Sequence, residues 1–203
     1  MNDIFAAVVH DVKNQLAELA LRLEKRDDAQ QEMVLAMNAA RRLTEMLLVH
    51  LHENDLLSVN SDSVDAADFL AILAAEYRQL FPQLTIEVNA DFAPAFAFFD
   101  DALVRMALSN ALHNACRFAR SRVMLSACEK DKMLVLQVSD DGAGYTQSLL
   151  SNGGEQPSTV SYRGTGLGLF LAKRIAESHQ LEERHGRIEL SNADGAVFRM
   201  MLP

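Results

Sequence analysis

Two glycine clusters in this chain have the composition of a phosphate-binding loop. They are Asp140-x-Gly142-x-Gly144 and Gly164-x-Gly166-x-Gly168. Glycine allows positive φ angles and lets a backbone approach a ligand closely. Because the second cluster continues into an apolar segment with helical spacing, it would also offer the free N–H groups and the positive dipole end of a helix start. The two clusters therefore indicate a site for a phosphorylated ligand.

Neither cluster is specific when it is considered alone. The second lacks the Lys-Ser/Thr ending of a P-loop and the G-x-G-x-x-G spacing of a dinucleotide-binding turn. The Asp-Gly pair of the first is also common in turns. Its carboxylate, Asp140, follows a strongly apolar segment, and a carboxylate at the end of a strand can accept a hydrogen bond from the exocyclic amine of a base.

A predicted helix upstream of both clusters carries polar residues at helical spacing. Asn110 and Asn114 are four residues apart on one face, and so are His113 and Arg117. An asparagine oxygen is a suitable ligand for Mg²⁺, which usually keeps several waters and takes further oxygens from substrate phosphates. By itself the helix is more typical of a solvated surface, so the motif depends on the two glycine clusters.

The composition is that of an ordinary globular protein of one or two domains, with 203 residues, of which 49% are hydrophobic and 23% charged. A net charge of −9 without clustered cations argues against nucleic acid as a partner and against anionic membrane surfaces. No apolar run approaches the ~20 residues of a transmembrane helix, and the first residues lack the basic region of a secretory signal. We therefore expect a cytoplasmic protein without direct membrane insertion.

The cysteines and the remaining histidines give no pattern typical of a disulfide framework or a zinc site. Cys116 and Cys128 lie inside apolar patterns, so we expect reduced cysteines in the core. The remaining histidines are predicted to be surface or capping residues, and they are His50, His52, His179 and His185.

Two amphipathic helices are predicted at the start of the chain. Residues 2–25 have apolar positions alternately four and three apart, which is a heptad seam, and a second helix over 29–56 also has one apolar face. The short charged turn between them predicts an antiparallel hairpin. Since one hairpin cannot bury both seams well, we expect a homodimer in which two hairpins form a four-helix bundle.

The remaining sequence mixes helices and strands without regular alternation, which predicts an α+β domain with one sheet backed by helices. A polar, turn-rich segment at 57–65 marks the boundary, so we expect domains at 1–58 and 62–203, with a lid-like connection over 146–163. The predicted helices are 66–81 with Asp65 as its cap, a long helix from Asp100 or Asp101 to about 119, and 167–178. The predicted strands are 84–89, 96–99, 123–127, 133–139, 187–191 and 196–202.

The three motifs, taken in this order, closely resemble the ATP-binding domain of sensor histidine kinases, which has the Bergerat fold. The family's N box resembles residues 110–118, its first glycine box resembles 140–144, and its second glycine box resembles 164–169. The resemblance covers nearly all of 62–203. It implies an α/β-sandwich ATPase domain with ATP and Mg²⁺ as cofactors.

The resemblance also implies roles for individual residues. Asn114 is similar to the family's magnesium ligand, with Asn110 supporting it, and Asp140 is similar to the carboxylate that recognises adenine. Phe118 fills the family's aromatic position near the nucleotide, and Arg117 stands where the family usually has a lysine, so its contact with phosphate would differ in geometry. The glycine boxes would supply close backbone contacts and the floor and hinge of the ATP lid through Gly142, Gly144, Gly164, Thr165, Gly166, Leu167 and Gly168.

The first predicted helix contains a segment that resembles the phosphoacceptor box of histidine kinases, with His10 as the acceptor. A neutral imidazole nitrogen can attack the γ-phosphoryl group of ATP, while the adjacent carboxylate of Asp11 holds the other ring nitrogen and acts as a base. In the family, a polar residue four or five positions after the histidine often orients the water that dephosphorylates the partner. Asn14 and Gln15 both meet that description, and the sequence does not choose between them.

The chain departs from the family pattern in several places. The segment 146–163 lacks the usual phenylalanine box, residues 180–185 are inserted before Gly186, and no proline follows Asn14. We expect no sensor domain in this chain, so either a separate sensor protein supplies the input, or the sequence is a fragment or a phosphotransfer component.

Together these features predict an ATP-dependent protein-histidine kinase that phosphorylates His10 and passes the phosphoryl group to an aspartate of a response-regulator receiver domain. Phosphatase activity toward that partner is a further hypothesis. The alternative is a dimeric histidine phosphotransferase whose nucleotide domain is vestigial. A serine kinase of the anti-sigma type would share the Bergerat fold but would not need the hairpin that carries His10.

Overall fold

A computed structural model describes residues 58–153 and 167–203 of the chain, together with three isolated helical residues, Leu16, Ala39 and Leu43. The chain divides into two units, Met1–Leu57 and Ser58–Pro203. The predicted hairpin of helices 2–25 and 29–56 lies outside the described residues apart from those three positions. The second unit contains the elements described below.

Helices and strands are intermixed in the second unit, as an α+β fold requires. The helices are α1 (Ala66–Leu80), α2 (Asp101–Phe118), α3 (Gln147–Asn152) and α4 (Leu167–Ser178). The strands are β1 (Asp62–Val64), β2 (Thr85–Phe92), β3 (Ala97–Phe99), β4 (Arg122–Lys130), β5 (Met133–Asp140), β6 (Gln180–Leu181), β7 (Arg184–His185), β8 (Arg187–Asn192) and β9 (Ala196–Leu202).

Five of the strands form a mixed sheet in the order β2-β4-β5-β9-β8. Strand β2 runs parallel to β4, whereas the pairs β4–β5, β5–β9 and β8–β9 are antiparallel. Two small antiparallel pairs, β1–β3 and β6–β7, lie outside this sheet. The predicted α+β architecture of this unit is therefore confirmed.

The core lies between the sheet and helices α1, α2 and α4. Alternate residues of β5 are buried and pair with buried residues of β9, because successive side chains of a strand point to opposite faces. These pairs are Leu134 with Leu202, Leu136 with Met200, and Val138 with Phe198. Helix α2 contacts both β5 and α4, so its position is set by the sheet on one side and by the last helix on the other.

The opposite face of the sheet carries a second, smaller apolar cluster. Met133, Val135 and Met201 are buried there, and the partly buried Cys128 packs against them. They form part of a cavity of about 360 Å³ whose lining includes Arg187 and charged residues of the neighbouring strands. None of the predicted site residues lines this cavity.

Both predicted helix caps are present. The carboxylate of Asp65 accepts hydrogen bonds from the backbone N–H groups of Ala67 and Asp68, at 2.9 and 3.1 Å. Asp100 caps α2 by accepting from the N–H of Leu103 at 3.0 Å. An acidic N-cap satisfies orphan donors and interacts favourably with the helix dipole, which explains why α1 and α2 begin where the sequence predicts.

Three local structures differ from the predictions. The turn between β4 and β5 contains only two residues, Asp131 and Lys132, whereas the predicted strands left five residues between them. Both turn residues have positive φ angles, which is the conformation of a type I′ hairpin turn. The inserted residues 180–185 form the β6–β7 hairpin, and the short helix α3 occupies the first part of the predicted lid-like segment. Strand β1 lies in the segment that was expected to be only a polar boundary.

The sequence predicts His179 to be either a surface residue or a capping residue, and the structure shows that it is not at the surface. Its side chain is buried, with 3% exposure. Nε2 accepts a hydrogen bond from the backbone N–H of Asp100 at 3.0 Å, and Nδ1 donates to the carbonyl of Ile175 at 2.7 Å. The imidazole therefore caps the end of α4 and ties it to the start of α2.

None of the helices in the described part of the chain is long and apolar enough to cross a bilayer.

Candidate functional site

The first glycine box, residues 140–144, packs against the C-terminal end of α2. A Cβ atom added to Gly142 would lie 2.3 Å from the carbonyl oxygen of Phe118. Real Cβ atoms do not approach backbone oxygens so closely, so the loop can take this path only with glycine at this position. The contact joins the end of the N box directly to the first glycine box.

Asp140 lies at the end of β5, where one carboxylate oxygen is held by backbone groups. Its Oδ1 accepts hydrogen bonds from the N–H groups of Gly142 at 2.7 Å and Ala196 at 3.3 Å. Among the described residues, Oδ2 accepts no hydrogen bond. The carboxylate is thus oriented by one oxygen while the other can accept from a ligand.

The charge of Asp140 acts on two nearby ionisable groups, the buried thiol of Cys116 and the partly buried phenol of Tyr145. Burial, reinforced by that charge, raises the pKa of the Cys116 thiol to about 12. The same two causes, in the same order, raise the pKa of the Tyr145 phenol above its usual range. Both groups therefore stay protonated at neutral pH.

Asp141 is a site residue that sequence reasoning missed. Its carboxylate accepts hydrogen bonds from the Ser121 hydroxyl at 2.7 Å and from the backbone N–H groups of Ser121 and Arg120 at 3.1 and 2.8 Å. The Ser121 hydroxyl first, and then these backbone donors, hold the pKa of Asp141 well below its usual range. Asp141 therefore fastens the first glycine box to the turn between α2 and β4. The available signal was an acidic residue directly before Gly142.

The asparagines of α2 lie next to the start of α4. Asn110 is buried, and its Nδ2 has no hydrogen-bond partner among the described residues. A Cβ added to Gly168 would lie 3.3 Å from the Asn110 side-chain carbon Cγ. Asn114, one turn further along α2, is partly buried. The N box and the described end of the second glycine box are therefore in contact.

The end of α2 presents an aromatic and a cationic side chain to solvent. Phe118 is 60% exposed, which is unusual for phenylalanine, and Arg117 is exposed beside it. The Arg117 guanidinium lies 5.4 Å from the centre of the Phe118 ring, within the range of a cation–π interaction. An accessible aromatic ring next to a cation suits a ligand that has both a planar base and a phosphate.

Residues 99–203, about half of the chain, match the family of histidine kinase-, DNA gyrase B- and HSP90-like ATPases. The chain belongs to this family. The family resemblance inferred from the three motifs is thereby confirmed, and the matched part contains all three of them.

Similar proteins are found both by sequence and by structure. This ATPase-family chain is 25% identical over 186 residues to the sensor protein PhoQ of Escherichia coli K12, covering 85% of the chain and 38% of that protein. Its fold is similar to that of ShkA in complex with AMPPNP (TM-score 0.72, 19% identity, 100% of this chain and 46% of the other). It is also similar to the histidine kinase AdeS of Acinetobacter baumannii (TM-score 0.66, 16% identity, 94% of each chain). The chain thus spans well under half the length of PhoQ.

The described residues of the ATPase-family unit fit a nucleotide with its magnesium ion. A buried amide without a partner at Asn110, a backbone cradle at Gly142 and an exposed ring at Phe118 lie on the elements that carry the three motifs. No group of three or more His, Cys, Asp or Glu side chains in the described ranges could hold a metal ion. Asn114 on α2 offers an amide oxygen, a donor that suits Mg²⁺ together with phosphate oxygens and water.

The structure places some of the predicted site residues and leaves others undescribed. Eight of the predicted residues lie on four neighbouring elements, namely helix α2, the end of β5, the loop after it and the start of α4. They are Asn110, Asn114, Arg117, Phe118, Asp140, Gly142, Gly144 and Gly168. Leu167 begins α4, and its side chain is not described. The residues that lie outside the described part of the chain are His10, Asp11, Asn14, Gln15, Gly164, Thr165 and Gly166.

Proposed function

We propose that this chain is an ATP-dependent protein-histidine kinase. Residues 62–203 bind Mg·ATP, and the γ-phosphoryl group passes to His10 and then to an aspartate of a response-regulator receiver domain. Membership of the ATPase family and the similarity to the sensor protein PhoQ support this function. The resemblance of the His10 segment to a phosphoacceptor box supports the choice of acceptor.

The observation that carries the proposal is the convergence of the three motifs at α2. Gly142 abuts the backbone of Phe118, and Gly168 abuts the side chain of Asn110. The contact at Gly142 requires glycine, and the contact at Gly168 is closer than most Cβ contacts. The two positions lie 26 residues apart in the sequence, and a helix with a merely solvated polar face would make neither contact.

The described residues divide the work of nucleotide binding. Asp140 accepts from the exocyclic amine of adenine through its outward oxygen, and Phe118 covers the base. Arg117 contacts phosphate, and Asn114 provides the protein ligand for magnesium. When bound, Mg²⁺ would neutralise charge on the β- and γ-phosphates, which together with positioning accounts for most of the catalysis in phosphoryl transfer.

The acceptor residues carry out the transfer itself. An imidazole nitrogen of His10 forms a bond to the γ-phosphorus as the bond between that phosphorus and the ADP oxygen breaks. Asp11 holds the other ring nitrogen and accepts the proton that the imidazole loses. In a separate hydrolytic reaction, Asn14 or Gln15 would orient a water that attacks the phosphorylated aspartate of the receiver domain and releases inorganic phosphate.

The remaining parts of the proposal concern assembly. The hairpin within residues 1–58 forms a homodimer through a four-helix bundle. The protein acts in the cytoplasm. Apolar seams in the sequence support dimerisation, since a lone hairpin would leave much of them in water.

Incubation with γ-labelled Mg·ATP tests the kinase reaction. We expect acid-labile, base-stable label on the wild type and none on His10→Ala or Asp140→Ala. Two matched controls, His185→Ala and Asp91→Ala, remove exposed residues of the same types outside the site and should label normally.

The opposite result would select the alternative function. If the wild type acquires no label from ATP but takes it from a phosphorylated receiver domain, the protein is a histidine phosphotransferase and the kinase proposal is wrong. Label that persists in His10→Ala would show a different acceptor.

A further inference from the structure

We propose that Asn192 is a positioning residue of the nucleotide site, acting by clamping the loop that follows the first glycine box. Asn192 ends strand β8, and none of the three motifs contains it. The inference rests on the proposed nucleotide-binding function. It assigns to that site a residue from a distant part of the chain.

One side-chain amide of Asn192 satisfies both backbone groups of Tyr145. Its Oδ1 accepts a hydrogen bond from the Tyr145 N–H at 2.7 Å, and its Nδ2 donates to the Tyr145 carbonyl at 2.9 Å. The two residues are 47 positions apart in the sequence. The amide therefore supplies to this loop the paired hydrogen bonds that a neighbouring strand would otherwise provide.

The backbone next to Tyr145 is shaped around this amide. Gly144 has a φ of +79°, and a Cβ atom there would lie 2.8 Å from the Asn192 side-chain carbon Cγ. A larger residue at 144 would meet both backbone strain and the amide. Gly144 thus allows the loop to turn closely around Asn192.

The turn that follows Asn192 contacts the first glycine box at two more points. The N–H of Ala196 donates to Asp140 Oδ1 at 3.3 Å. A Cβ added to Gly195 would lie 2.2 Å from the Asp140 carbonyl oxygen. The box is therefore held between the end of α2 on one side and the β8–β9 turn on the other.

The amide of asparagine is needed because the clamp uses one acceptor and one donor. Aspartate would keep the acceptor for the Tyr145 N–H but would face the Tyr145 carbonyl with a second acceptor. Alanine would remove both bonds. The two substitutions therefore separate the halves of the clamp.

Loss of the clamp should weaken binding and leave the chemical step unchanged. In the proposed complex the adenine base contacts Asp140 and the backbone of the first glycine box. If this loop is not already ordered in the free protein, nucleotide binding must order it, and the entropy cost lowers the affinity. In the proposed mechanism Asn192 takes no part in the transfer of the phosphoryl group to His10. The substitution should therefore raise KM for ATP without lowering kcat.

The test compares wild type, Asn192→Ala, Asn192→Asp and Asn89→Ala in the full chain. Asn89 is an exposed asparagine on the edge strand β2 whose side chain bonds only locally, to the N–H of Asp91, so its substitution is the matched control. Calorimetry with Mg·ATP measures affinity, and hydrogen exchange without nucleotide measures protection of the Tyr145 amide. Labelling at varied ATP gives KM and kcat.

For Asn192→Ala we expect about tenfold weaker Mg·ATP binding, the size of change that two ordinary hydrogen bonds produce. Its Tyr145 amide should exchange faster, and kcat at saturating ATP should match the wild type. Asn192→Asp should retain part of the amide protection, and Asn89→Ala should behave as wild type in every measurement.

Different outcomes overturn the inference and the proposed function separately. Unchanged exchange at Tyr145 in Asn192→Ala would disprove the clamp whether or not nucleotide binds. Faster exchange with wild-type affinity, or a lower kcat at constant KM, would make Asn192 a structural residue only. Failure of the wild type itself to bind Mg·ATP would instead disprove the proposed function.

Discussion

At the scale of single residues, Gly142 and Gly153 differ in how much space a side chain would have at each position. Gly142 lies against the backbone of α2, and a Cβ there would come within 2.3 Å of Phe118 O and 2.8 Å of Asp140 Oδ1. Gly153 ends α3 with a φ of +53°, and no atom of the described residues lies within 4 Å of its Cβ position. The first glycine is required by contact, and the second only by backbone conformation.

Substitution of each glycine by alanine should separate these two requirements. We expect Gly142→Ala to lower the free energy of unfolding by about 1–3 kcal/mol, as overpacking does, and to weaken Mg·ATP binding because Asp140 must shift. Gly153→Ala should cost about 1 kcal/mol for the left-handed conformation and leave binding unchanged. Urea denaturation and calorimetry measure both quantities. Equal nucleotide affinity in the two variants would contradict the role given to Gly142.

Asp141 gives the site a predictable response to acid. Its folded-state pKa is lowered by the Ser121 hydroxyl and the backbone donors around it, so the ionised form stabilises the fold. That contribution is complete above the ordinary aspartate pKa of about 3.9 and is lost as the pH falls through the lower folded-state pKa. The wild type should therefore be more stable than Asp141→Asn at pH 7, and the gap should narrow below about pH 4.

Thermal unfolding at a series of pH values between 7 and 3 measures this gap. Asp91→Asn removes one negative charge from an exposed position on β2 and serves as the control, with no comparable gap. If the difference between wild type and Asp141→Asn were constant over the whole range, its origin would not be the carboxylate charge.

At the scale of elements, the site depends on how α2 is held at its two ends. The C-terminal end meets the first glycine box, and the N-terminal end begins at Asp100, whose backbone N–H donates to His179 at the end of α4. His179 also bonds the Ile175 carbonyl of its own helix. The His179 imidazole thus adds a hydrogen-bonded link to the packing between the two helices that carry the N box and the described end of the second glycine box.

Replacement of His179 by phenylalanine should destabilise this arrangement. The buried N–H of Asp100 would lose its acceptor, which costs about 1–3 kcal/mol. His185→Phe changes an exposed histidine on β7 and should stay within about 0.5 kcal/mol of wild type. Chemical denaturation of both variants measures the difference. A similar stability for the two variants would show that the His179 bonds contribute nothing net.

The elements also show what sequence patterns can and cannot predict. Helices α1, α2 and α4 begin where expected, because capping aspartates or a long apolar periodicity act locally. Strand β1 and the β6–β7 pair were not predicted, since strands of two or three residues are too short to show alternation. The motif residues of the candidate site could be selected from local spacing, whereas the contact of Asn192 could not, because its partner Tyr145 lies 47 residues away.

At the scale of the whole molecule, the second unit has its own core and its own sheet. Every strand of the five-stranded sheet comes from residues after Ser58, and helices α1, α2 and α4 of the same unit pack on that sheet. Nucleotide binding, as proposed, uses only residues of this unit, whereas the acceptor His10 belongs to the first. The two activities should therefore be separable into different polypeptides.

A protein consisting of residues 58–203 should fold, bind Mg·ATP with the affinity of the full chain, and acquire no label, because it lacks His10. Mixed with the 203-residue chain carrying Asp140→Ala, which retains the proposed acceptor but not the carboxylate proposed to recognise the base, it should transfer labelled phosphate to His10 of that chain. The control mixture uses the same chain with both Asp140→Ala and His10→Ala and should stay unlabelled. If the wild type labels itself but the first mixture does not, covalent linkage between the units is essential to the reaction, and the division of function proposed for them is wrong.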